Sequence, residues 1–374
     1  MNRKEIEENL IFLGIIGSQA YGTNLEHSDT DLKGIVIAPV SYHLGLLSFE
    51  QKDSWDTTDT GKITALDLSK DKVVYEVKKF LQLVLCQNPN ILDLLYLPEK
   101  FIISKTPEYE YIASLREFLL SKEAYKSYSG YAHAQIRKME AHRKWLLLEA
   151  QGIANVKPDP ADYLPEDLTG LNLLPKSELY AFYEFITILL KDRIQYFDEY
   201  AEIQTAFKKV DWTGLIKQNG LSDDVSEYVQ RTTNCTDNYL RLLNATQEYN
   251  SALRQHQNWK SWSKNRNPER AALERKCGVD GKNAMHCIRL QRMAVEILEE
   301  GTVYVYRSDA DYLKKIRRGE ISYEEIMEES QRLREKAEAA LKVSSLPDKV
   351  DKQFISNILE ELPTKKFQCK SKMW

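Results

Sequence analysis

Short apolar runs of strand length occur in the first seventy residues of the chain. Residues 10–16 and 32–38 are rich in β-branched side chains, and residues 62–68 form a third run of similar length. Such runs predict β-strands. From residue 71 to residue 85 the apolar side chains recur at helical spacing, until Asn and Pro residues interrupt the pattern. This spacing predicts a helix that packs on a small sheet.

Beyond residue 105 the periodic segments are almost all helical. The predicted helices cover residues 108–120, 122–149, 176–208, 223–259, 281–300 and 323–341. Residues 151–175 contain four prolines and predict a surface loop. The pattern therefore indicates an α+β protein with a sheet-containing core over residues 1–105. A mostly α-helical region over 106–345 and a basic C-terminal tail over 346–374 follow it.

Composition narrows the functional classes only slightly. A chain of 374 residues can bury a large core without disulfides or metals, and its five cysteines show no zinc-binding spacing. The net charge of −4, from 52 basic and 56 acidic residues, is too small to indicate a polyanionic partner, so any contact with nucleic acid must come from local patches. The apolar run at residues 10–16 is too short for a signal sequence or a membrane span, which favours the cytoplasm and no membrane partner.

One string of residues carries recognisable chemistry. The first predicted strand leads directly into Gly17 and Ser18, and a short helix beginning there would direct backbone N–H groups and the Ser18 hydroxyl outward, as a phosphate requires. Asp29 and Asp31 follow at the start of the next predicted strand. Because alternate side chains of a strand share a face, both carboxylates lie on the same side. Such hard oxygen ligands favour magnesium.

A third carboxylate would complete a two-metal site. Asp67 has apolar neighbours on both sides in the third predicted strand, and Asp71 is a close second choice. A bare Asp-x-Asp or Gly-Ser pair is common in proteins that bind no metal. The order of strand, Gly-Ser turn, Ser-Asp-x-Asp and second strand is much rarer, and it favours the metal site. The chain has no Walker A, GxGxxG or HExxH motif.

This string resembles the active-site signature of the polymerase-β-type nucleotidyltransferases. The form Gly-Ser-x-Ala-Tyr-Gly-Thr followed by Ser-Asp-x-Asp-x-Lys-Gly is similar to one branch, the RNA ligase-associated (RNA repair pathway) nucleotidyltransferases. That branch usually has Glu where this chain has Asp93. Further similar blocks lie at residues 75–80, 88–93, 130–135, 273–274, 281–290 and 316–320.

The resemblance implies a small mixed-sheet nucleotidyltransferase core, with the helical region completing the nucleotide and acceptor site. It implies transfer of a nucleoside monophosphate from a nucleoside triphosphate to a hydroxyl, with an RNA end as the favoured acceptor and an RNA ligase as a partner. Asp29, Asp31 and Asp67 (or Asp71) would hold two Mg²⁺ ions, or Mn²⁺ in their place, while Gly17 and Ser18 would cradle phosphates. The alternatives are a protein side chain as acceptor, or a catalytically silent nucleotide or RNA sensor. The intact Asp29 and Asp31 argue against the silent sensor.

Basic residues supply candidate phosphate contacts. Lys282, His286 and Arg289 are spaced i, i+4 and i+7, so on a helix they share one face. Spacing alone is more typical of a solvated basic face with the histidine satisfied in the core, whereas the resemblance favours triphosphate binding. Two basic clusters predict RNA binding, one on a predicted helix and one, with tryptophans, in a predicted loop around residues 259–270. The alternative, equally compatible with the sequence, is a buried tryptophan beside a solvated charged face. The residues assigned to RNA are Arg137, Lys138, Arg266 and Arg270.

Overall fold

The computed structural model describes residues 1–26, 28–44, 46–53, 71–152, 155–177, 179–180, 237–265 and 268–371. The predicted strand at 62–68, with Asp67, and Arg266 lie outside the described residues. The chain divides into two compact units. One comprises Met1–Leu146 with Pro268–Trp374, and the other comprises Leu147–Asn267.

A five-stranded mixed sheet forms the centre of the first unit. Its strands are β1 (Leu10–Ile16), β2 (Asp31–Val36), β3 (Gln51–Lys52), β4 (Asp71–Glu76) and β5 (Ile102–Lys105). They lie in the order β3-β4-β2-β1-β5. The β2–β4 pair is parallel and the other pairs are antiparallel. The small mixed sheet predicted for the N-terminal region is therefore confirmed.

Helices make up most of the remaining described chain. The N-terminal helices are α1 (Arg3–Asn9), α2 (Gly17–Ala20), α3 (Ser41–Leu44), α4 (Val77–Leu85), α5 (Pro89–Leu95) and α6 (Pro107–Ser114). The later helices are α7 (Glu123–Ala150), α8 (Asp237–Asn265), α9 (Pro268–Cys277), α10 (Gly281–Glu300), α11 (Ala310–Arg317), α12 (Tyr323–Val343) and α13 (Lys352–Ser371). The predicted α+β class with a helical C-terminal region is confirmed.

The segment after residue 70 differs from its prediction. Residues 71–76 were expected to begin a helix, but they form β4, which pairs in parallel with β2 along its whole length. The helical spacing was therefore misleading for these six residues, because pairing with a buried strand outweighs a local pattern in a segment containing Val73 and Val74. The helix α4 begins only at Val77, where the Glu76 carboxylate accepts a hydrogen bond from the Lys78 N–H at 2.6 Å.

Apolar side chains cover both faces of the sheet. On one face Ile6 of α1 packs against strand residues, namely Leu13, Leu32, Val36 and Val74. On the other face the larger core includes Phe12 and Ile35 of the sheet with Phe80, Leu81 and Leu92 of the following helices. The sheet is thus a rigid layer between helices, and its strand ends are available to carry polar groups.

Local capping explains the limits of α10, which coincide with the prediction. The Asp280 side chain accepts hydrogen bonds from the N–H groups of Lys282 and Asn283 at 3.0 and 3.2 Å, and Gly301 ends the helix with a φ of +66°. Helix α12 begins with a capping box between Ser322 and Glu325. The predicted helix at 108–120 is instead α6 followed by a separate 3-10 turn, Arg116–Leu119.

Two other segments are more helical than the sequence suggested. Residues 259–264 were expected in a loop, but they belong to α8, whose 29 residues include no Gly or Pro to interrupt it. At the C-terminus, α13 lies within the segment expected to be a tail and buries Ile355, Ile358 and Leu362. In the second unit, the predicted loop 151–175 contains the short 3-10 turns Pro160–Tyr163 and Glu166–Leu168.

Candidate active site

Asp31 and Asp71 begin two neighbouring parallel strands, β2 and β4, and they are paired directly in register. Paired residues of adjacent strands project on the same face, with backbones about 4.8 Å apart. The carboxylates therefore lie side by side at one end of the sheet. Asp29, two residues before Asp31 and exposed to solvent, is close enough for its charge to act on Asp31.

The pKa of Asp31 responds to the two other carboxylates. Partial burial raises the pKa of Asp31, and the negative charges of Asp71 and Asp29 raise it further, while the ammonium groups of Lys282 and Lys33 oppose the rise. Like charges held together at a half-buried position repel one another. A divalent cation bound among these oxygens would relieve the repulsion, so the donor set fits Mg²⁺.

The Gly17–Ser18 turn lies directly against this carboxylate cluster. Gly17 has a φ of +68°, and a Cβ built on it would lie 2.2 Å from Asp31 Oδ2. The turn is tied down on its other side, because Gln19 Nε2 donates a hydrogen bond to Thr30 Oγ1 at 2.7 Å. Only glycine permits both this backbone conformation and this close approach. The predicted juxtaposition of the Gly-Ser turn with the aspartates is thus present in the fold.

Substituting Gly17 by alanine should reduce activity at this site at least about 10-fold, because the added methyl group would force the Asp31 carboxylate to rotate away from its neighbours. The unfavourable φ costs only about 1–2 kcal/mol, so the protein should remain folded. Gly152→Ala is a matched control, since Gly152 has a φ of +70° with nothing within 4 Å of the built Cβ. Equal loss of activity in both variants would contradict a specific role for the Gly17 contact.

The three basic residues predicted on α10 occupy different environments. Lys282 is exposed, and its charge acts on Asp31. Burial, followed by the charges of Arg289, Lys138 and Lys282, lowers the pKa of His286 to about 3, so this ring is neutral near pH 7. Arg289 is only 1% exposed. Of the three, Lys282 is thus the side chain that reaches solvent beside the carboxylates.

Arg289 belongs to a buried polar cluster beneath the Gly-Ser turn. Its guanidinium carbon lies 3.7 Å from the centre of the Tyr21 ring, and the Tyr21 hydroxyl donates a hydrogen bond to the Asp93 carboxylate. Burial raises the pKa of Asp93, and the positive charge of Arg289 is the largest opposing effect. Because Tyr21 immediately follows α2, this cluster supports the turn from inside the core.

Lys33 connects the same buried region to the end of the sheet that carries Asp31 and Asp71. It lies two residues after Asp31 on the same strand face, and its Nζ donates a hydrogen bond to the Asn90 carbonyl at 3.0 Å. Burial lowers the pKa of Lys33 to about 8, although the charges of Asp93 and Asp31 oppose this shift. Tyr21, Lys33 and Asp93 are all parts of the sequence motifs, but the sequence did not predict that they form one cluster.

Arg317 is a supporting residue that the sequence did not single out as a site residue. Its guanidinium donates hydrogen bonds to the Thr23 carbonyl at 2.8 Å and to Ser28 Oγ at 3.3 Å. Both partners lie in the loop that precedes Asp29, so an arginine at the end of α11 holds the loop that carries a candidate metal ligand. The separation of 294 residues from Thr23 left no local signal for this contact.

The residues predicted to bind RNA are only partly described. Arg137 and Lys138 are exposed on α7, and the charge of Lys138 reaches His286, which brings this patch near α10. Arg266 lies outside the described residues. Arg270 lies on α9, and its side chain is not described.

Comparison with known protein families finds a match for the N-terminal part of the chain. Residues 2–149 match RlaP, the RNA repair pathway DNA polymerase beta family. No curated protein and no solved structure matches the chain. Within the described part of the chain, no helix combines the length and apolar character needed to cross a membrane. The matched residues include the sheet and the Gly17 to Asp71 cluster, so the N-terminal part of this chain is similar to the RNA repair pathway DNA polymerase beta family.

Proposed function

We propose that this protein is a magnesium-dependent nucleotidyltransferase that transfers a nucleoside monophosphate from a nucleoside triphosphate to a hydroxyl at an RNA end. The observation that carries the proposal is the pairing of Asp31 with Asp71 in register, with the Gly17 backbone pressed against the Asp31 carboxylate. This arrangement brings the Gly-Ser turn and three carboxylates to one end of a sheet. The family match of residues 2–149 supports the same chemistry.

Each residue of the cluster has a role that follows from its position. Asp29, Asp31 and Asp71 would hold Mg²⁺, with Mn²⁺ as a substitute. When bound, the metal supplies charge stabilisation for the triphosphate and activation of the attacking hydroxyl. The backbone at Gly17 and the Ser18 hydroxyl would donate hydrogen bonds to phosphate oxygens. Asp67, the first choice from the sequence for the third ligand, lies outside the described residues, so it stays untested beside Asp71.

The basic residues would contribute to phosphate binding in different ways. Lys282, exposed beside Asp31, would contact the triphosphate directly. His286 is neutral near pH 7 and would contribute a hydrogen bond rather than a charge. Arg289 would act from beneath the turn, by holding Tyr21 in place. Arg137 and Lys138, exposed on α7, would contact the phosphates of the acceptor RNA.

The test measures transfer of label from each α-labelled nucleoside triphosphate in the presence of magnesium. The acceptors offered are a pool of small structured RNAs and the proteins of a cell extract. Label on RNA with the natural chain, and none with Asp29→Asn, is the expected result. A Lys138→Glu variant should weaken RNA binding and reduce its dependence on salt, while Lys349→Glu, at an exposed site on another segment, should not. Label on protein alone would replace RNA with a protein acceptor. Triphosphate binding without any transfer would support the silent sensor instead.

A further inference from the structure

Three helices bring a histidine and two carboxylates together outside the catalytic cluster. His142 lies on α7, Glu274 on α9, and Asp280 immediately before α10. Their ligand atoms all lie within 4.8 Å of one another. His142 Nδ1 is 2.9 Å from Glu274 Oε1 and 3.8 Å from Asp280 Oδ2. Both acidic residues are 2% exposed, and the histidine is only partly accessible.

These separations are compatible with one small cation between the three side chains. A point equidistant from three atoms so spaced lies between about 1.9 and 2.4 Å from each, which overlaps the metal–ligand distances of about 2.0–2.2 Å found for Zn²⁺ with nitrogen and oxygen. The ligand set of one imidazole and two carboxylates also suits Zn²⁺. Mg²⁺ fits less well, because it prefers oxygen ligands alone in an octahedral arrangement.

The surroundings hold the Asp280 carboxylate in one orientation. Its Oδ1 accepts hydrogen bonds from two backbone N–H groups of α10, and its Oδ2 accepts one from Asn283 Nδ2 at 3.2 Å. Oδ2 is the Asp280 oxygen nearest His142 Nδ1. Hydrogen bonds of this kind orient metal-ligating carboxylates in proteins.

We propose that His142, Glu274 and Asp280 form a Zn²⁺ site that joins α7, α9 and α10. The bound ion would take Nδ1 of His142 and one oxygen from each carboxylate, with water in the fourth position. On binding the ion, Nδ1 would give up its hydrogen bond to Glu274, and the neutral ring would carry its proton on Nε2. The ion would also fix the start of α10, which carries Lys282 two residues after Asp280.

The experiment is a calorimetric titration of the full chain, stripped of metal by a chelator, with Zn²⁺ in excess Mg²⁺. The natural chain should bind about one Zn²⁺ per molecule, tightly enough for the binding to be seen despite the excess Mg²⁺. Asp31→Asn should bind it equally, which separates this site from the catalytic carboxylates. His142→Gln should lose it, because glutamine keeps a hydrogen-bonding side chain but is a poor zinc ligand. His133→Gln, an exposed histidine of the same helix, is the matched control and should bind normally.

Asn283→Ala gives a finer test, because it leaves all three ligands in place. Removing a hydrogen bond to a ligating carboxylate should weaken Zn²⁺ binding about 10-fold or more. Circular dichroism and thermal unfolding without zinc would show whether each variant is folded, and Glu274→Gln provides a second lesion if His142→Gln is not. Absence of Zn²⁺ binding by the natural chain, or undiminished binding by folded His142→Gln, would show that the cluster is only a hydrogen-bond network and would overturn the proposal.

Discussion

Asp71→Asn should reduce the rate of nucleotidyl transfer at least about 100-fold, the scale expected when a catalytic metal loses a carboxylate ligand. Asp71 faces Asp31 across the parallel strands, and its charge raises the pKa of Asp31. The two carboxylates are therefore close enough to bind the same metal ion. Asparagine keeps the size of the side chain but removes its charge. Asp31→Asn should cause a loss at least as large. The measurement is single-turnover transfer from a labelled nucleoside triphosphate at several magnesium concentrations.

The carboxylate variants require a control for general electrostatic effects. Asp311→Asn removes a negative charge from a side chain that is 97% exposed on α11, and it should leave the rate within about twofold. Thermal unfolding should show all three variants folded, since Asp71 is exposed at a strand end. Full activity of Asp71→Asn would exclude it as the third ligand, and Asp67→Asn would then be decisive. Full activity of both would contradict a two-metal site.

Arg307→Met should lower the free energy of unfolding by about 3–5 kcal/mol, because it removes the cation from a largely buried charge network. The Arg307 side chain is 2% exposed. It donates a forked pair of hydrogen bonds to Glu296 of α10 and a third, at 2.9 Å, to Asp309 before α11. Methionine fills much of the same space but leaves both carboxylates without this partner. The measurement is equilibrium unfolding by denaturant.

The matched control for Arg307 is an exposed ion pair that also involves a glutamate of α10. Lys336 of α12 pairs with Glu299 of α10 at 3.0 Å, with the two side chains 57% and 39% exposed. Lys336→Met should cost no more than about 1 kcal/mol, since solvent screens such pairs. If Arg307→Met were as mild as Lys336→Met, the network would contribute little to the stability of this unit, and its burial would have to be compensated by Arg292, which also donates to Asp309.

The limits of several elements were predictable because local signals coincide with tertiary packing. Strand β1 has the predicted bounds, and α10 runs over the predicted residues with a capping aspartate before it and a left-handed glycine after it. The segment at β4 was not predictable in this way. Its six residues are compatible with both the helical and the strand periodicity. Pairing with β2, a strand forty residues earlier, decides between them through backbone hydrogen bonds.

The candidate site shows the same division between local and distant information. Gly17, Ser18, Asp29 and Asp31 are close in sequence, so their order and spacing were enough to predict a phosphate turn beside two carboxylates. Spacing predicted that Lys282, His286 and Arg289 share one face of α10, and the resemblance implied triphosphate binding. Neither could show that Arg289 lies under Tyr21 while Lys282 is exposed. Helical geometry orients side chains around one axis, whereas the depth of burial depends on what packs against each of them.

By itself, the sequence determined the fold class, the Gly-Ser turn and the first two carboxylates, because each depends on residues within one strand, turn or helix. The tertiary structure alone decided that Asp71 stands beside Asp31, that Arg317 holds the loop before Asp29, and that His142 meets Glu274 and Asp280. These contacts join residues 40 to almost 300 positions apart. Local propensity contains no information about such pairs, since they form only when separate elements pack into one core.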